Sequence, residues 1–431
     1  MTPTRHLGWV AIARLGLVQL CLGAIVVLTT STLNRLMVVE MSLPAVLPGL
    51  LVGLHYGIQI TRPTWGFVSD TGGNRTRFII GGMAGLALGA FLAAVAVTLF
   101  ATQFALALLL SVGAYALIGI GVGASGTSLL ALLATATHPR RRAAAATMTW
   151  LMMIFGIAVT ATLVGGVLDP YTPLRLLQVV GVVCGGAVAL TTLAIAGIEA
   201  RHVRAVEPAP MPFRQGLAEI WHEPAARRFT LFVFLSMTAY FMQELILEPY
   251  AGLVFGYSPG QSTSLSGMQN GGVFLGMLVV GIAATGLRIG SLRVWVIAGC
   301  LGSACALLAV AGAGVLRIEP LFRPAVMALG LFNGMFAVAA IGSMMALAGE
   351  GRKAREGTRM GLWGASQAVA AGFGGLTGAA LVDLARLLTD EAQAFGAVFG
   401  FEAALFVLAA GMAAQIIETR RHSPAIMVPG E

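Results

Sequence analysis

Val52–Arg77 reads VGLHYGIQITRPTWGFVSDTGGNRTR. Its first half is apolar enough to lie in a bilayer. Its second half is a glycine-bearing turn closed by two arginines. That change of character marks a membrane span running into a short basic loop. Two features need separate explanations. One is an imidazole, His55, far from either end of the apolar run. The other is Asp70 in the turn, followed by Arg75 and Arg77.

Composition extends the first reading to the whole chain. Of 431 residues, 58% are hydrophobic and only 10% charged, and the mean hydropathy is +0.88. A water-soluble protein of this length could not hide so much apolar side chain, so lipid must be most of its solvent. The 56 glycines suit closely packed helices. Cys21, Cys184, Cys300 and Cys305 fall in apolar runs without zinc-site spacing and read as small buried residues. The net charge of +8 comes from arginines in short loops, which fits membrane topology better than nucleic acid binding. The first apolar run is too long for the core of a signal peptide and lacks a small-residue cleavage site, so it reads as the first helix.

Apolar runs long enough to cross a bilayer fall at 9–33, 43–66, 77–99, 103–135, 143–167, 174–198, 228–250, 263–286, 293–316, 322–348, 358–382 and 395–417. They predict an all-α membrane protein of twelve transmembrane helices. The expected organisation is a six-helix half over 1–198, a linker over 199–227, a second half over 228–417 and a tail over 418–431. Counted loop by loop, 20 basic residues, Arg62 among them, fall on the side of the termini and five on the other. The positive-inside rule then puts both termini, the linker and the tail in the cytoplasm.

The halves repeat at an offset of 213–214. Gly53, Gly57 and Gly72 fall on Gly267, Gly271 and Gly286; Trp150 answers Trp363, and Asp169 answers Asp383. Two parallel six-helix halves form the pseudo-symmetric plan of the major facilitator superfamily, in which a ligand lies between the halves near the midplane. The loop GFVSDTGGNRTR also resembles that superfamily's signature after the second helix, through Gly66, Asp70, Gly72 or Gly73, Arg75 and Arg77. Glycines permit the tight turn. An aspartate there can pair with arginine or face a helix N-terminus, latching two helices on the cytoplasmic side. The plainer alternative is a solvated loop pair. In the second half Asp70 maps to Ala284, so no acid stands there.

Polar groups inside a membrane are costly and usually face a partner or a cavity. His55 is expected about 11 residues from each end of its span, roughly 16 Å deep, with Gln59 one turn on along the same face. Gln19 lies at similar depth in the first span. Gln269 occupies the repeat position of His55, beside Asn270. His55 has three readings: a ligand to the magnesium of a chlorin, a proton carrier, or a hydrogen-bond partner across helices. The flanking Gly53 and Gly57 predict close helix packing and favour the last. Glu244 and Glu248, four apart in MQELILEPY, make a shared proton site one reading. Pro249 and Tyr250 favour the other, a helix end at the membrane surface. Arg14 is expected to snorkel or to pair within the bundle, and Arg35 and Glu40 to sit at the outer edge.

Three segments carry a more specific resemblance: RLGLVQLCLGAIVVLTTSTLNRLMVVEMSLPAVLPGLL, LHYGIQITRPTWGFVSDTGGNRTRFIIGGM and LILEPYAGLVFGYSP. They resemble the PucC/LhaA family of purple phototrophic bacteria, the bacteriochlorophyll-delivery branch of the major facilitator superfamily, over nearly the whole chain. The resemblance implies a non-enzymatic protein of the intracytoplasmic photosynthetic membrane. Its bound ligand would be bacteriochlorophyll or a precursor. Its partners would be light-harvesting antenna polypeptides, with bacteriochlorophyll synthase a second candidate. It also strengthens the pigment reading of His55, and makes Gln59, Gln19, Gln269 and Asn270 candidate pigment contacts.

Two other function classes stay open. A proton-driven transporter of a small solute fits the fold, but a charged solute needs a counter-ion that the midplane residues barely supply. An accessory subunit of bacteriochlorophyll synthase is the other, whereas an enzyme that itself attaches a prenyl tail needs aspartate-rich motifs for magnesium and diphosphate. Asp70, Asp169, Asp383 and Asp390 are scattered, and no GxxxxGK[ST] loop exists.

Overall fold

The computed structural model describes residues 6–62, 65, 74–138, 141–199, 224–287, 289–349 and 356–418. Among them every regular element is a helix. In chain order these are α1 Trp9–Glu40, α2 Val46–Thr61, α3 Arg75–Leu99, α4 Phe104–Ala136, α5 Arg142–Leu168, α6 Pro173–Ile195, α7 Pro224–Phe255, α8 Pro259–Val280, α9 Leu292–Val315, α10 Glu319–Gly349, α11 Glu356–Arg386 and α12 Glu391–Glu418. Eleven are long and apolar enough to cross a membrane, and α2 is a shorter apolar helix. The chain is a multi-pass membrane protein. Exposed leucines and valines such as Leu109, Val182 and Leu193 cover its outer faces, as helices surrounded by lipid require. Most of the expected linker lies outside the described residues.

Each half has its own apolar core. One core is drawn from α1–α6 with Leu245 of α7 added, and the other wholly from α7 onward. The halves meet where α2 packs on α11, α5 on α8, and α1 on α7.

At the end of the bundle away from the termini, two aspartates cap helices of the opposite half. Asp169, just past α5, accepts hydrogen bonds from the Ser258 hydroxyl and from the Gly260 N–H (3.0 Å) at the start of α8. Asp383 of α11 accepts from the Ala45 N–H (3.0 Å) and the Val46 N–H (2.7 Å) at the start of α2. A helix N-terminus presents unpaired N–H groups and a partial positive charge, so a carboxylate satisfies both. The two aspartates are repeat partners, and Val46 and Gly260 are 214 residues apart as well. The internal repeat is thus also a pair of reciprocal caps. Glycine is required at 260, where a Cβ would lie 2.5 Å from the Asp169 carboxyl carbon.

Several expectations need correction. The first helix does not stop near residue 33. It runs to Glu40 through two π-helical segments, Leu28–Thr32 and Leu36–Glu40. Arg35, expected at the edge, is 2% exposed; it pairs with Glu40 (2.5 Å) and donates to the Tyr257 carbonyl of the other half (2.6 Å). Likewise α7 continues through Pro249 to Phe255, and Glu248 and Tyr250 are buried. That stretch is therefore not a helix end at the surface. Neither Gly53 nor Gly57 has to be glycine for its neighbours to fit, since a Cβ at either would meet nothing within 4 Å. The close approach is on the other side of α2, where a Cβ at Gly119 of α4 would lie 2.7 Å from the His55 carbonyl.

Candidate functional site

The inward face of α2 carries His55, Tyr56, Gln59 and Arg62, and its outward face exposes Leu50, Gly57 and Ile60. The helical repeat produces this division, since 55, 59 and 62 fall within one stripe. The α-helix proper ends at Ile58 and a 3₁₀ turn follows over Gln59–Thr61, so His55 lies closer to the end of its helix than expected.

The three polar side chains are joined in series. Arg62 donates to Gln59 Oε1, and Gln59 Nε2 lies 2.9 Å from His55 Nε2. A guanidinium can only donate, so the amide must turn its oxygen to Arg62 and its NH₂ to the imidazole. His55 Nε2 is then the acceptor, and a neutral ring carries its proton on Nδ1. That nitrogen is buried without a partner among the described residues. The bond expected across helices is instead made along α2 itself. Ligation of a magnesium by Nε2 requires the Gln59 amide to turn away.

Aromatic side chains flank the series. Tyr56 meets His55 edge-on (4.7 Å between ring centroids) and reaches Phe241 of the other half (5.9 Å), which in turn contacts Tyr240 (5.1 Å). The other polar candidates are not brought to this place. Gln19 is buried within α1, and Asn270 donates to the Ser266 carbonyl of its own helix (3.0 Å). Gln269 is half-buried on α8, where its carbonyl is tight against Gly330 of α10.

A second polar group joins the halves between α1, α7 and α8. Asn34 donates to the Leu245 carbonyl (2.6 Å), the Thr32 and Thr263 hydroxyls meet at 3.2 Å, and Ser266 donates to Glu248. Glu248 Oε2 and Arg35 Nε are buried without hydrogen-bond partners among the described residues. Glu244 lies near Tyr56 and Tyr240, whereas Glu248 accepts from Ser266, so the two acids have different neighbours.

Gly66 and Asp70 of the expected latch lie outside the described residues. The arginines behind them begin α3. Glu199, just past α6, accepts from the Arg75 N–H (2.9 Å), the Thr76 N–H (2.8 Å) and the Thr76 hydroxyl (2.7 Å), while Asn74 accepts from the Arg77 N–H (3.3 Å). Arg14 resolves similarly: its guanidinium donates to the Ala194 and Ala196 carbonyls at the end of α6 (2.9 and 2.6 Å), a favourable place for a cation.

Sequence reasoning missed two residues. Arg62 was counted as loop but belongs to the α2 series. Glu402 of α12 is wholly buried with both carboxyl oxygens unpartnered among the described residues. A lone glutamate in FGFEAALF was the available signal.

Between α5 and α8 a groove of about 430 Å³ opens on the outer face. Its walls are apolar, with Phe155 and Phe274 (5.7 Å between centroids), Val159 and Leu275 on the sides and Gly267 and Gly271 in the floor. Thr162, the one hydroxyl among its lining residues, is turned to the Ala158 carbonyl.

A family profile described as "PUCC protein" matches residues 32–421. The chain belongs to the PUCC protein family. Among its PUCC relatives, the Rhodobacter capsulatus protein named bacteriochlorophyll synthase 44.5 kDa chain is 69% identical, over 96% of this chain and 97% of that one. Protein PucC of Rhodovulum sulfidophilum is 28% identical, over 87% and 85%. Solved transporters share the fold. A bacterial homolog of the human lysosomal transporter Spinster superposes with a TM-score of 0.70 at 16% identity, covering 99% of this chain and 100% of that one. The peptide transporter POT gives 0.69 at 15% identity, covering 96% of each. This PUCC protein therefore has the two-half fold of major facilitator transporters.

Proposed function

We propose that the protein carries bacteriochlorophyll or a precursor within the photosynthetic membrane and delivers it for assembly of light-harvesting complexes, without itself catalysing a reaction. Its termini face the cytoplasm in this reading, and its partners are antenna polypeptides, with bacteriochlorophyll synthase on the supply side. Family membership and the names of the relatives support the pigment. The observation that carries the reading is the α5–α8 groove. A lipid-soluble ligand must enter from the side, and this groove is apolar, open outward and placed at a seam between the halves. The word synthase in a relative's name fits a partner of the enzyme, because the scattered aspartates offer no motif for magnesium diphosphate.

Gly271→Phe tests this. A Cβ at Gly271 meets nothing within 4 Å, so the ring fills the groove without disturbing the helix. Pigment-making cells carrying the variant should hold a normal amount of the protein and less light-harvesting complex, read from the near-infrared absorbance of the membranes. Undiminished antenna absorbance with the groove filled would count against it.

A further inference from the structure

Arg35 and Arg386 are matched by carboxylates, and Arg14 by three backbone carbonyls at the end of α6. Arg62 has less. Its sole hydrogen-bond partner among the described residues is the neutral Gln59 amide, and its Nε is buried without one. Glu244 of α7 lies near Tyr56 and Tyr240 but forms no ion pair with Arg62, and Arg62 has no acid partner among the described residues. A cation held inside a bundle without a counter-ion is costly, and such a site gains most from binding an anion. A guanidinium suits a planar carboxylate in particular.

The surroundings restrict what the anion is attached to. His55 is only 3% exposed, and its Nδ1 is a second buried donor without a partner among the described residues. Tyr56, Phe241 and Tyr240 supply aromatic faces and edges alongside, from both halves. These are surfaces for a flat apolar body.

We infer that Arg62, oriented by Gln59, binds the free carboxylate of a tetrapyrrole, a pigment form whose acid side chain has not been esterified. This rests on the pigment reading and narrows it. The ligand stands before an esterification, the class of reaction that consumes that carboxylate.

Two probes separate the carboxylate from the ring: pheophorbide a and its methyl ester. Binding of each to the purified full-length protein in nanodiscs is measured by pigment fluorescence. Wild type should prefer the acid by about 10-fold to 100-fold, the range of a charge-assisted hydrogen bond. Arg62→Gln should lose that preference while its affinity for the ester is unchanged, and Arg62→Lys should keep part of it. Equal binding of acid and ester by wild type, or a preference surviving in Arg62→Gln, overturns the Arg62 assignment and leaves the pigment reading standing. Failure of wild type to bind either probe overturns both.

Discussion

Gln59 holds the α2 series together, because its amide serves two neighbours at once. Its oxygen accepts from Arg62 and its NH₂ faces His55. Gln59→Leu leaves a buried imidazole nitrogen and a guanidinium without their partner. The expected cost is about 1–3 kcal/mol for the orphaned groups, seen as a lower midpoint of thermal unfolding in detergent. Gln269, the repeat counterpart of His55, is half-buried and has no side-chain hydrogen bond among the described residues, so Gln269→Leu should stay within about 0.5 kcal/mol of wild type. Equal losses from both variants would mean that the series contributes nothing special. His55 and Gln59 were visible in the sequence as a polar pair one turn apart. Arg62 was not, because charge near the end of an apolar run looks the same whether it faces water or a neighbouring helix.

Between helices, the decisive contacts are the reciprocal caps. Asp169 and Asp383 each close a helix start in the other half, at the end where α1, α7 and α8 also interlock. Removing a cap costs about 1 kcal/mol, so Asp169→Ala with Asp383→Ala should loosen that end without unfolding either core. The measure is alkylation by a membrane-impermeant thiol reagent of a cysteine placed at buried Thr32. The rate should rise in the double variant. An unchanged rate would show that the caps do not hold the halves together. The sequence displayed these aspartates as repeat partners, but not that each acts on the opposite half. Repeats show equivalence, whereas contacts between them depend on how the halves dock.

Across the whole molecule, the apolar runs and the repeat were enough to predict twelve helices in two halves. The errors fall where charge lies inside the bundle. Arg35 appeared to lie at an edge, and Glu248 with Pro249 appeared to end α7, yet Arg35 donates to the Tyr257 carbonyl of the other half and buried Glu248 accepts from Ser266. A hydropathy run cannot register a partner more than 200 residues away. The groove was equally hidden, since glycines that line an opening and glycines that permit packing read alike. Gly271 borders the groove, while a Cβ at Gly276, five residues on, would lie 2.0 Å from the Leu331 carbonyl. The central claim, that this fold carries pigment, is tested most directly by a native mass spectrum of the full chain purified from pigment-making cells. The spectrum should show about one tetrapyrrole per chain, the occupancy expected of the one α5–α8 groove. A wild-type preparation without tetrapyrrole would contradict it.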